Sequence, residues 1–502
     1  MTLAESFAAG AATAPALSAP DRPDLSHEGL RQLIADTVNR LNQLGIGRND
    51  RVAIVLPNGP EMAAAFLAVA AGATTAPLNP GYREDELNFY LTDIEAKAIL
   101  VGRDETGPAV TVAEKLGIAV LRLDVAEGAA SGSFTIDGSA IGPAVDTLYA
   151  EPDDIALLLH TSGTTSRPKL VPLSQKNLAA SARHIGETLG LGPDDRCLNI
   201  MPLFHIHGLI AAVLSSLASG GSVFCTPGFD ALRFFRWLEE AKPNWYTAVP
   251  TMHQAILARA KRNQDALAAA RLRFIRSSSA SLPPQVMLEL EETFSCPVVE
   301  SYGMTEAAHQ MASNPLPPAT RKPGSVGIAA GPEVAIMAVD GRLLSVDEEG
   351  EIVIRGENVT DGYVNNDEAN KTAFEHGWFH TGDQGTLDSE GYLRVTGRLK
   401  EIINRGGEKI SPREVDEVLM DYPAIAQVVT FGVPHDKLGE EVGAAIVLRE
   451  GAEATDKEIR AFAAERLADF KVPRRIVILD EIPKGATGKM QRIGLAKKLG
   501  LA

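Results

Sequence analysis

The sequence predicts an α/β protein with a large N-terminal domain, built from two α/β sheet subdomains and a small β unit, and a small α+β C-terminal domain. Helix-like and strand-like segments alternate from residue 30 to residue 300. Short strands separated by Gly/Asp turns follow between residues 325 and 397, and a mixed pattern returns after Arg398. Alternation is typical of parallel sheets covered by helices, and 502 residues require several packing units.

The first segments alternate between helix and strand. The segment "GLRQLIADTVNRLNQLG" predicts a helix, because its apolar residues recur at helical spacing and Gly45 can end it. The run "DRVAIVLP" predicts a buried strand, "GPEMAAAFLAVAAGAT" a helix, residues 76–80 a strand and turn, and "AKAILVG" (96–102) another strand.

The second subdomain repeats this pattern between residues 155 and 300. The apolar run "DIALLLH" is a strand, and further strands that end in loops are "CLNIMPL", "SVFCTPG", "WYTAVP", "LRFIRSSSA" and "PVVESYG". Ligands of such sheets bind at the carboxyl ends of the strands, so the loops that follow these strands are candidate site segments.

The last third of the sequence predicts two smaller units. The runs "EVAIMAV", "GEIVIRG" and "YLRVTG" indicate an antiparallel β unit. After Arg398, two strands "IAQVVTFGVPH" and "EVGAAIVLR" lie between the helices "SPREVDEVLMDYP" and "TDKEIRAFAAERLADF". These roughly 100 residues are enough for a separate small domain.

Composition excludes some classes of partner. The net charge of −17, from 48 basic and 65 acidic residues, argues against nonspecific binding to nucleic acid or to an anionic membrane. The three cysteines imply no disulfide framework, and no basic leader or apolar run of ~18 residues is present. We therefore expect a cytoplasmic monomer or small homo-oligomer, with neither nucleic acid nor membrane as a partner.

The segment "HTSGTTSRPK" is a candidate phosphate-binding loop. Five hydroxyl residues lie between Thr161 and Pro168, directly after a buried strand and directly before Lys169. Backbone N–H groups, hydroxyls and a lysine in such a bend can hold phosphate. An ordinary polar loop after a strand has a similar composition, so the loop alone leaves both interpretations open.

Four further motifs carry candidate side chains. In "ESYGMTEAAH", Tyr302 can stack on a planar base and Glu306 can hold Mg²⁺. Asp383 in "WFHTGD" can accept from ribose hydroxyls, Arg398 opens "GRLKEIINRGGEKISP", and Lys489 lies in "TGKMQR". The alternatives are a core ring for Tyr302, a solvated carboxylate for Glu306, turn or surface positions for Asp383 and Arg398, and an ordinary exposed lysine.

Taken together, these motifs resemble the adenylate-forming acyl-CoA synthetases over residues 25 to 495. The resemblance implies domains at 1–398 and 401–502, with a hinge at 399–400 about which a mobile C-terminal domain swings. It also implies a two-step reaction. A carboxylate attacks the α-phosphorus of ATP to give an acyl-adenylate and pyrophosphate, and the thiol of coenzyme A then displaces AMP.

The family's motif positions assign roles to residues of this sequence. The reaction would depend on Lys489, Thr305, Glu306 and the hinge residue Lys400, with Mg²⁺ held by Glu306 and Thr164. Coenzyme A would contact Arg405, Gly406, Gly407, Glu408 and Lys409. ATP or AMP would contact Thr161, Ser162, Gly163, Thr164, Thr165, Lys169, Ser279, Ala280, Ser281, Glu300, Ser301, Tyr302, Gly303, Thr305, Asp383, Arg398 and Lys489. The sequence departs from many members at Leu170, where they have glycine, and nothing in the sequence explains this leucine.

The acid pocket is expected to be polar. Its candidate residues are His205, His207, Ser279, His309, Met311 and Ser313, a set that is polar for a fatty-acyl tunnel and suits a small acid with a second anionic end. The strings "PLFHIHGL", "WYTAVPT" and "RSSSASL" are similar to those of the subgroup that activates oxalate. Alternatively, His205 is only a gate residue and His207 a core histidine with satisfied hydrogen bonds.

Rival functions remain open at this point. They are a ligase for another short, medium-chain or aromatic acid, an adenylation enzyme that loads a carrier protein, and a nucleotide sensor without catalysis. The chain has no G-x-x-x-x-G-K-[ST] string, which disfavours a P-loop NTPase.

Overall fold

A computed structural model describes residues 1–146, 148–161, 168–483, 490 and 492–502 of the chain. Two short strands near the N-terminus, β1 (Pro15–Ser18) and β2 (Leu25–Ser26), pair with each other and belong to the second of the two large sheets.

The first large sheet has seven strands in the order β7-β6-β5-β3-β4-β8-β9. The strands are β3 (Arg51–Val55), β4 (Thr74–Pro77), β5 (Ala98–Gly102), β6 (Ala119–Asp124), β7 (Thr135–Asp137), β8 (Ile155–Thr161) and β9 (Lys169–Ser174). The inner pairs are parallel, whereas β7 and β9 pair antiparallel at the two edges. The antiparallel strand β9, which the sequence analysis missed, makes a hairpin with β8.

Strand β9 explains the leucine that departs from the family pattern. Leu170 is 2% exposed and packs in a core cluster with Leu158 and Val101. Its carbonyl also accepts a hydrogen bond from the Val364 N–H at 2.9 Å. Leu170 is therefore a core residue of the strand that follows the loop.

Six helices accompany the first sheet, and local sequence accounts for their ends. The Ser26 side chain accepts from the Gly29 N–H at the start of the second helix, and proline occupies the first turn of the third and fifth. The helices are α1 (Leu3–Ser6), α2 (His27–Gln43), α3 (Pro60–Ala70), α4 (Glu84–Ile94), α5 (Pro108–Leu116) and α6 (Gln175–Leu189). Helix α3 is alanine-rich and almost wholly buried, because it packs in the large core between the two sheets.

The second sheet has nine strands in the order β16-β15-β14-β13-β12-β10-β11-β1-β2. Its later strands are β10 (Arg196–Asn199), β11 (Ser222–Cys225), β12 (Trp245–Ala248), β13 (Phe274–Ser277), β14 (Val298–Met304), β15 (His309–Ser313) and β16 (Ile328–Ala329). Its helices are α7 (Ser215–Ala218), α8 (Phe234–Ala241), α9 (Pro250–Ala260), α10 (Gln264–Ala269) and α11 (Pro284–Phe294). A π-helical segment, His207–Leu214, and a 3₁₀ turn, Thr305–Ala307, complete this part.

A four-stranded antiparallel sheet follows in sequence order, as the sequence predicts. It contains β17 (Glu333–Met337), β18 (Gly350–Arg355), β19 (Phe379–Leu387) and β20 (Leu393–Arg398), with helix α12 (Asp367–Ala373) between β18 and β19. The register of β19 and β20 sets Asp383 opposite Arg398.

The C-terminal segment forms a five-stranded sheet with helices and has a core of its own. Its strands are β21 (Ile403–Arg405), β22 (Glu408–Ile410), β23 (Ile425–His435), β24 (Gly439–Leu448) and β25 (Arg475–Ile478). Its helices are α13 (Pro412–Met420), α14 (Asp456–Ala464) and α15 (Leu495–Lys498). Helix α14 is shorter than predicted, and a 3₁₀ turn at Asp469–Lys471 follows it.

The predicted fold class is confirmed: two large α/β sheets, a small β unit and a small α+β unit follow one another along the chain. The domain limits at residues 398 and 401 stay a prediction. No helix in the described part of the chain combines the length and the apolar content that a membrane crossing requires.

Asn177 joins the second half of the large domain to the small β unit. Its Oδ1 accepts from the Ser174 N–H at 2.8 Å, and its Nδ2 donates to the carbonyls of Glu357 and Val359 at 2.7 and 3.0 Å. The side chain is buried, so its loss leaves three polar backbone groups without partners.

We expect Asn177→Ala to destabilise the protein by about 2–3 kcal/mol, the cost of leaving buried polar groups unsatisfied. The midpoint of thermal unfolding measures the effect. Asn366→Ala is the matched control, because Asn366 only caps α12 by accepting from Ala369 N–H, a role worth about 1 kcal/mol. Equal shifts for the two variants would show that the Asn177 bonds do not connect the two units.

Candidate active site

The candidate phosphate loop is the connection of the β8–β9 hairpin. Thr161 ends β8, Lys169 begins β9, and the two residues are directly paired across the hairpin. The predicted loop residues Ser162, Gly163, Thr164 and Thr165 lie outside the described residues, as does Lys489. The described flanks bring Thr161 and Lys169 to the mouth of the loop.

Lys169 and Glu306 are linked through Tyr363. The Lys169 ammonium lies 4.2 Å from the centre of the Tyr363 ring, and the Tyr363 hydroxyl donates to Glu306 Oε1 at 2.9 Å. Tyr363 and Glu306 are both buried. One aromatic side chain therefore positions the candidate phosphate-binding cation and the candidate metal-binding carboxylate at the same time.

Burial shifts the titration of both charged groups. It lowers the pKa of Lys169, against the attraction of Glu306 and with the repulsion of Lys400. It raises the pKa of Glu306, while hydrogen bonds from its own backbone and from Tyr363, and the charges of Lys169 and Arg398, oppose the rise. Added negative charge next to Lys169, and added positive charge next to Glu306, is therefore favourable in these surroundings.

A second network joins Tyr302, Asp383 and Arg398. The Tyr302 hydroxyl donates to Asp383 Oδ2 at 2.6 Å, and Arg398 Nε donates to Asp383 Oδ1 at 2.7 Å. The charge of buried Asp383 raises the pKa of Arg398, and burial raises that of Tyr302 well above its ordinary value. The Tyr302 ring is half-buried, so it is neither a surface ring nor a fully enclosed core ring.

Close packing requires glycine after Tyr302. A Cβ at Gly303 would lie 1.7 Å from the His309 carbonyl oxygen, where the pairing of β14 and β15 shifts register. Thr305 and Glu306 follow in the 3₁₀ turn, and the Glu306 carbonyl accepts from the Thr360 N–H at 2.8 Å. The backbone therefore fixes where the turn presents its side chains.

The segment after β13 runs along the same edge of the sheet. Ser279 is half-buried and adopts a φ of 73°, while Ala280 and Ser281 are exposed. The neighbouring Ser278 hydroxyl donates to the carbonyl of buried Ser301 at 3.0 Å. A positive φ is unfavourable for serine, so the surroundings must hold this turn in place.

Two histidines lie side by side behind Ser279. The ring centres of His207 and His309 are 5.0 Å apart, and both side chains are buried. His207 Nδ1 lies 3.0 Å from Ser279 Oγ, and its Nε2 lies 2.6 Å from Thr247 Oγ1. His309 adopts a φ of 104°, a second strained position at the same place.

The other predicted pocket residues differ in their surroundings. Met311 and Ser313 are fully buried on the same strand as His309, and the Ser313 hydroxyl donates to the Asn314 carbonyl at 3.0 Å. His205 is half-buried and lies just before the π-helical segment. Five of the six candidates are polar, and their role in binding the acid stays a prediction.

The predicted coenzyme A residues occupy one β-turn of the small unit. Gly406 and Gly407 join β21 to β22 with φ values of 60° and 97°, as a tight hairpin requires. A Cβ at Gly407 would meet no atom within 4 Å, so the turn alone accounts for glycine in this arrangement. Arg405 pairs with Glu441 at 2.6 Å, and Glu408 and Lys409 are exposed.

The expected hinge residue Lys400 is exposed in a tight turn. The Glu401 N–H donates to the Arg398 carbonyl at 2.8 Å, and the Leu399 N–H donates to the Gly382 carbonyl at 2.9 Å. The turn therefore starts directly at the Asp383–Arg398 network.

Sequence reasoning missed Tyr363, Thr247 and Arg276 as parts of the site. Tyr363 lies in a Gly/Asn-rich connection, and no local signal links it to Glu306, which is 57 positions earlier. Thr247 and Arg276 lie inside strands that the sequence predicts to be buried. The only sequence feature that could have identified them is a single polar residue within an apolar strand.

The AMP-binding enzyme family matches residues 4–364, and the AMP-binding enzyme C-terminal domain matches residues 414–489. An oxalate–CoA ligase of Arabidopsis thaliana is 47% identical over 483 residues, which cover 95% of this chain and 94% of that protein. An oxalate–CoA ligase of Saccharomyces cerevisiae is 42% identical over 500 residues, which cover 94% of this chain and 91% of that protein.

Solved structures with the same architecture include ATP-bound MatB from Rhodopseudomonas palustris. It is 28% identical, with a TM-score of 0.87 over 100% of this chain and 98% of that chain. Apo MatB from the same organism is 29% identical, with a TM-score of 0.79 over 99% of both chains.

Glu300 provides a pH-dependent test of the site's packing. Its Oε1 accepts from the Leu282 N–H at 2.9 Å, and burial raises its pKa to about 7, although the charge of Arg413 opposes the rise. Between pH 4.5 and 7 the folded chain therefore keeps a proton that the unfolded chain releases. Stability contributed by Glu300 must fall as pH rises through this window.

We expect Glu300→Gln to remove this loss, so that the variant gains about 3 kcal/mol relative to the unmodified protein between pH 4.5 and 8. Unfolding midpoints at several pH values measure the difference. Glu289→Gln, at an exposed position of α11, is the control and should give a difference that does not change with pH. If the stability difference for Glu300→Gln also does not change with pH, the raised pKa of Glu300 is contradicted.

Proposed function

Because this chain belongs to the AMP-binding enzyme family, we propose that it is an ATP-dependent, AMP-forming acid–CoA ligase and that its acid substrate is oxalate. The observation that carries the proposal is the identity of 47% and 42% to two oxalate–CoA ligases over nearly the whole chain. Equally long matches to fatty-acid ligases reach only 30% identity.

The chemistry sets what the residues must do. One carboxylate oxygen of the acid attacks the α-phosphorus of ATP, the bond to pyrophosphate breaks, and an acyl-adenylate forms. The sulfur of coenzyme A then attacks the acyl carbon, its proton is lost, and AMP leaves as the thioester forms. The first step brings an anion to a polyanion, so cations and hydrogen-bond donors must lower the repulsion.

The described residues suit a nucleotide lying across the ends of β8, β14 and β19. Lys169 and Thr161 would contact the phosphates, Tyr302 the adenine and Thr305 the α-phosphate, next to the Ser279–Ser281 and Glu300–Gly303 segments. Asp383 would bind the ribose. Each of its oxygens already accepts one hydrogen bond, yet a carboxylate has about four acceptor sites, so ribose hydroxyls can still bind.

Glu306 fits a magnesium ion that accompanies the nucleotide. Mg²⁺ prefers oxygen ligands and is usually held by one or two carboxylates together with substrate phosphates. The described residues contain no cluster of three or more His, Cys, Asp or Glu side chains suited to a metal. When bound, the ion would neutralise phosphate charge; Glu306 and, by resemblance, Thr164 would hold it.

The C-terminal unit would act in both steps. By resemblance, Lys489 stabilises the charge that develops when the acid attacks, and Lys400 is the pivot about which residues 401–502 move. The turn Arg405–Lys409 would then meet coenzyme A.

The polar residues behind Ser279 would receive the acid. Oxalate carries a second carboxylate next to the reacting one, and burying it requires donors to compensate for lost hydration. Ser279, His207 and His309 offer such donors within one small volume, with His205 at the entrance. In an apolar tunnel for a fatty acid, these donors would find no acceptor on the substrate.

An acid panel tests the proposed function. We expect ATP–pyrophosphate exchange with oxalate to exceed exchange with acetate, octanoate or 4-coumarate by at least about 100-fold, because only oxalate satisfies the buried donors. Product formation should require coenzyme A. Preference for an apolar acid would overturn the substrate, and adenylate formation without thioester formation would favour loading of a carrier protein.

Tyr363→Phe tests the proposed metal-binding role of Glu306. The substitution keeps the ring beside Lys169 but removes the donor that stabilises the charged carboxylate, so the pKa of Glu306 should rise further. We expect the Mg²⁺ concentration for half-maximal activity to rise about 10-fold, because the charged form of the carboxylate loses a hydrogen-bond donor.

Tyr392→Phe is the control for this experiment. The Tyr392 hydroxyl donates to the Thr320 carbonyl in the small β unit and contacts none of the proposed ligands. An unchanged Mg²⁺ requirement in Tyr363→Phe, or an equal change in both variants, would argue against the role of the Tyr363–Glu306 bond.

A further inference from the structure

Arg276 is a fully buried arginine without a carboxylate partner. It lies on β13 with 0% exposure, and its Nε and Nη1 atoms have no hydrogen-bond partner among the described residues. Burial lowers its pKa to about 9, so the side chain still carries its charge at neutral pH. Burying an unpaired charge costs several kcal/mol, and a fold has little reason to retain it for stability.

Two other partly buried arginines in the described part of the chain have carboxylate partners. Arg492 contacts Asp416 at 2.7 Å and Glu401 at 3.1 Å, and Arg405 contacts Glu441 at 2.6 Å. Arg276 thus differs from these two arginines because no carboxylate among the described residues pairs with it.

The guanidinium of Arg276 lies directly behind the histidine pair. Its Nη2 is 3.4 Å from His309 Nδ1 and 3.2 Å from Gln310 Oε1. A guanidinium can only donate, so this contact makes His309 Nδ1 an acceptor and leaves the ring proton on Nε2. From there the contacts lead through the ring of His207 to the Ser279 hydroxyl at the cleft.

We propose that Arg276 is a positioning residue that selects acids with a second negative charge, by fixing His309 as a hydrogen-bond donor and by placing a permanent positive charge behind it. This inference rests on the proposed function, since it concerns the acid pocket of that same site. The second carboxylate of the substrate supplies the anion that Arg276 lacks in the protein, without direct contact.

In this arrangement, the residue that carries the positive charge is not one of the residues that would contact the substrate. His309 and His207 would line the pocket in fixed orientations, held by Arg276 on one side and by Thr247 on the other. The charge lies one layer deeper, where water cannot screen it. A monoanion of the same shape gains the hydrogen bonds but little from the field.

A purely structural role makes a different prediction. Gln310 Nε2 donates to the Ala330 carbonyl at 3.0 Å and to Thr188 Oγ1 at 3.1 Å, so Arg276 could serve only to orient Gln310. In that case its loss would weaken the reaction of every acid alike. Dependence on the charge of the substrate separates the two roles.

The test compares oxalate with oxamate, which replaces one carboxylate by an uncharged amide of the same shape, and malonate with malonamate. Exchange of pyrophosphate into ATP gives kcat/KM for each acid. In Arg276→Met we expect kcat/KM for oxalate to fall about 100-fold, mainly through KM, while that for oxamate changes less than about threefold. Arg276→Lys, assayed at about pH 6.5 so that the buried ammonium stays protonated, should retain most of the preference for the dianion.

Arg273→Met is the matched control. Arg273 precedes Arg276 on the way into β13 but pairs with Asp195 at 3.0 Å near the surface, so its loss should leave the ratio of oxalate to oxamate unchanged. Thermal unfolding shows whether each variant is folded. If Arg276→Met does not fold, Arg276→Lys carries the test, because loss of the dianion preference with the charge retained contradicts the proposal.

The outcomes separate this inference from the proposed function. Parallel losses for oxalate and oxamate in Arg276→Met, or an unmodified protein without preference for the dianion of either pair, would overturn the role of Arg276. Activation of malonate but not oxalate, with a preference that Arg276→Met abolishes, would instead remove oxalate as the substrate and support Arg276.

Discussion

The ion pair between Asp383 and Arg398 holds the candidate site together. Tyr302, from the second large sheet, donates to the same carboxylate, and the turn that leads into the C-terminal unit begins at Arg398 itself. Three parts of the chain therefore meet at one charge pair, whose carboxylate is buried. A ligand that contacts Asp383 would also lie next to the turn that leads into the C-terminal unit, so substrate could bias the position of that unit if it moves as proposed.

Electrostatics explains how a protein of net negative charge can have a site for anionic substrates. The net charge of −17 repels anionic substrates at long range, yet salt screens that field within about 10 Å. What matters is the local arrangement, in which Lys169 and Arg398 are partly buried, Arg276 is fully buried, and charges act through a medium less polar than water. A few cations, each held by an aromatic ring, a carboxylate or a histidine, can then attract an anionic substrate more strongly than many exposed cations could.

Sequence reasoning predicted the fold class and most strands, because buried parallel strands and amphipathic helices have distinct periodicities. It missed β9, since Lys169–Ser174 lies in a proline-containing stretch that reads as a loop, and it placed the end of α14 too late. Motifs identified Glu306, Asp383 and Arg398, whose positions in sequence are fixed by local turns. They did not identify Tyr363 or Arg276, because each acts through a contact with a residue far away in sequence, and such contacts leave no local pattern.

Four residues of the candidate site share a physical property that connects stability with specificity. Arg276, Glu306 and the strained Ser279 and His309 each cost the fold free energy, through desolvation of a charge or an unfavourable φ. Each cost is recovered only when a ligand of complementary charge and shape is bound. A protein that selected a neutral, apolar acid would gain stability by replacing these groups with aliphatic ones. The presence of these residues at the candidate site therefore agrees with the proposal of a small, doubly charged acid substrate.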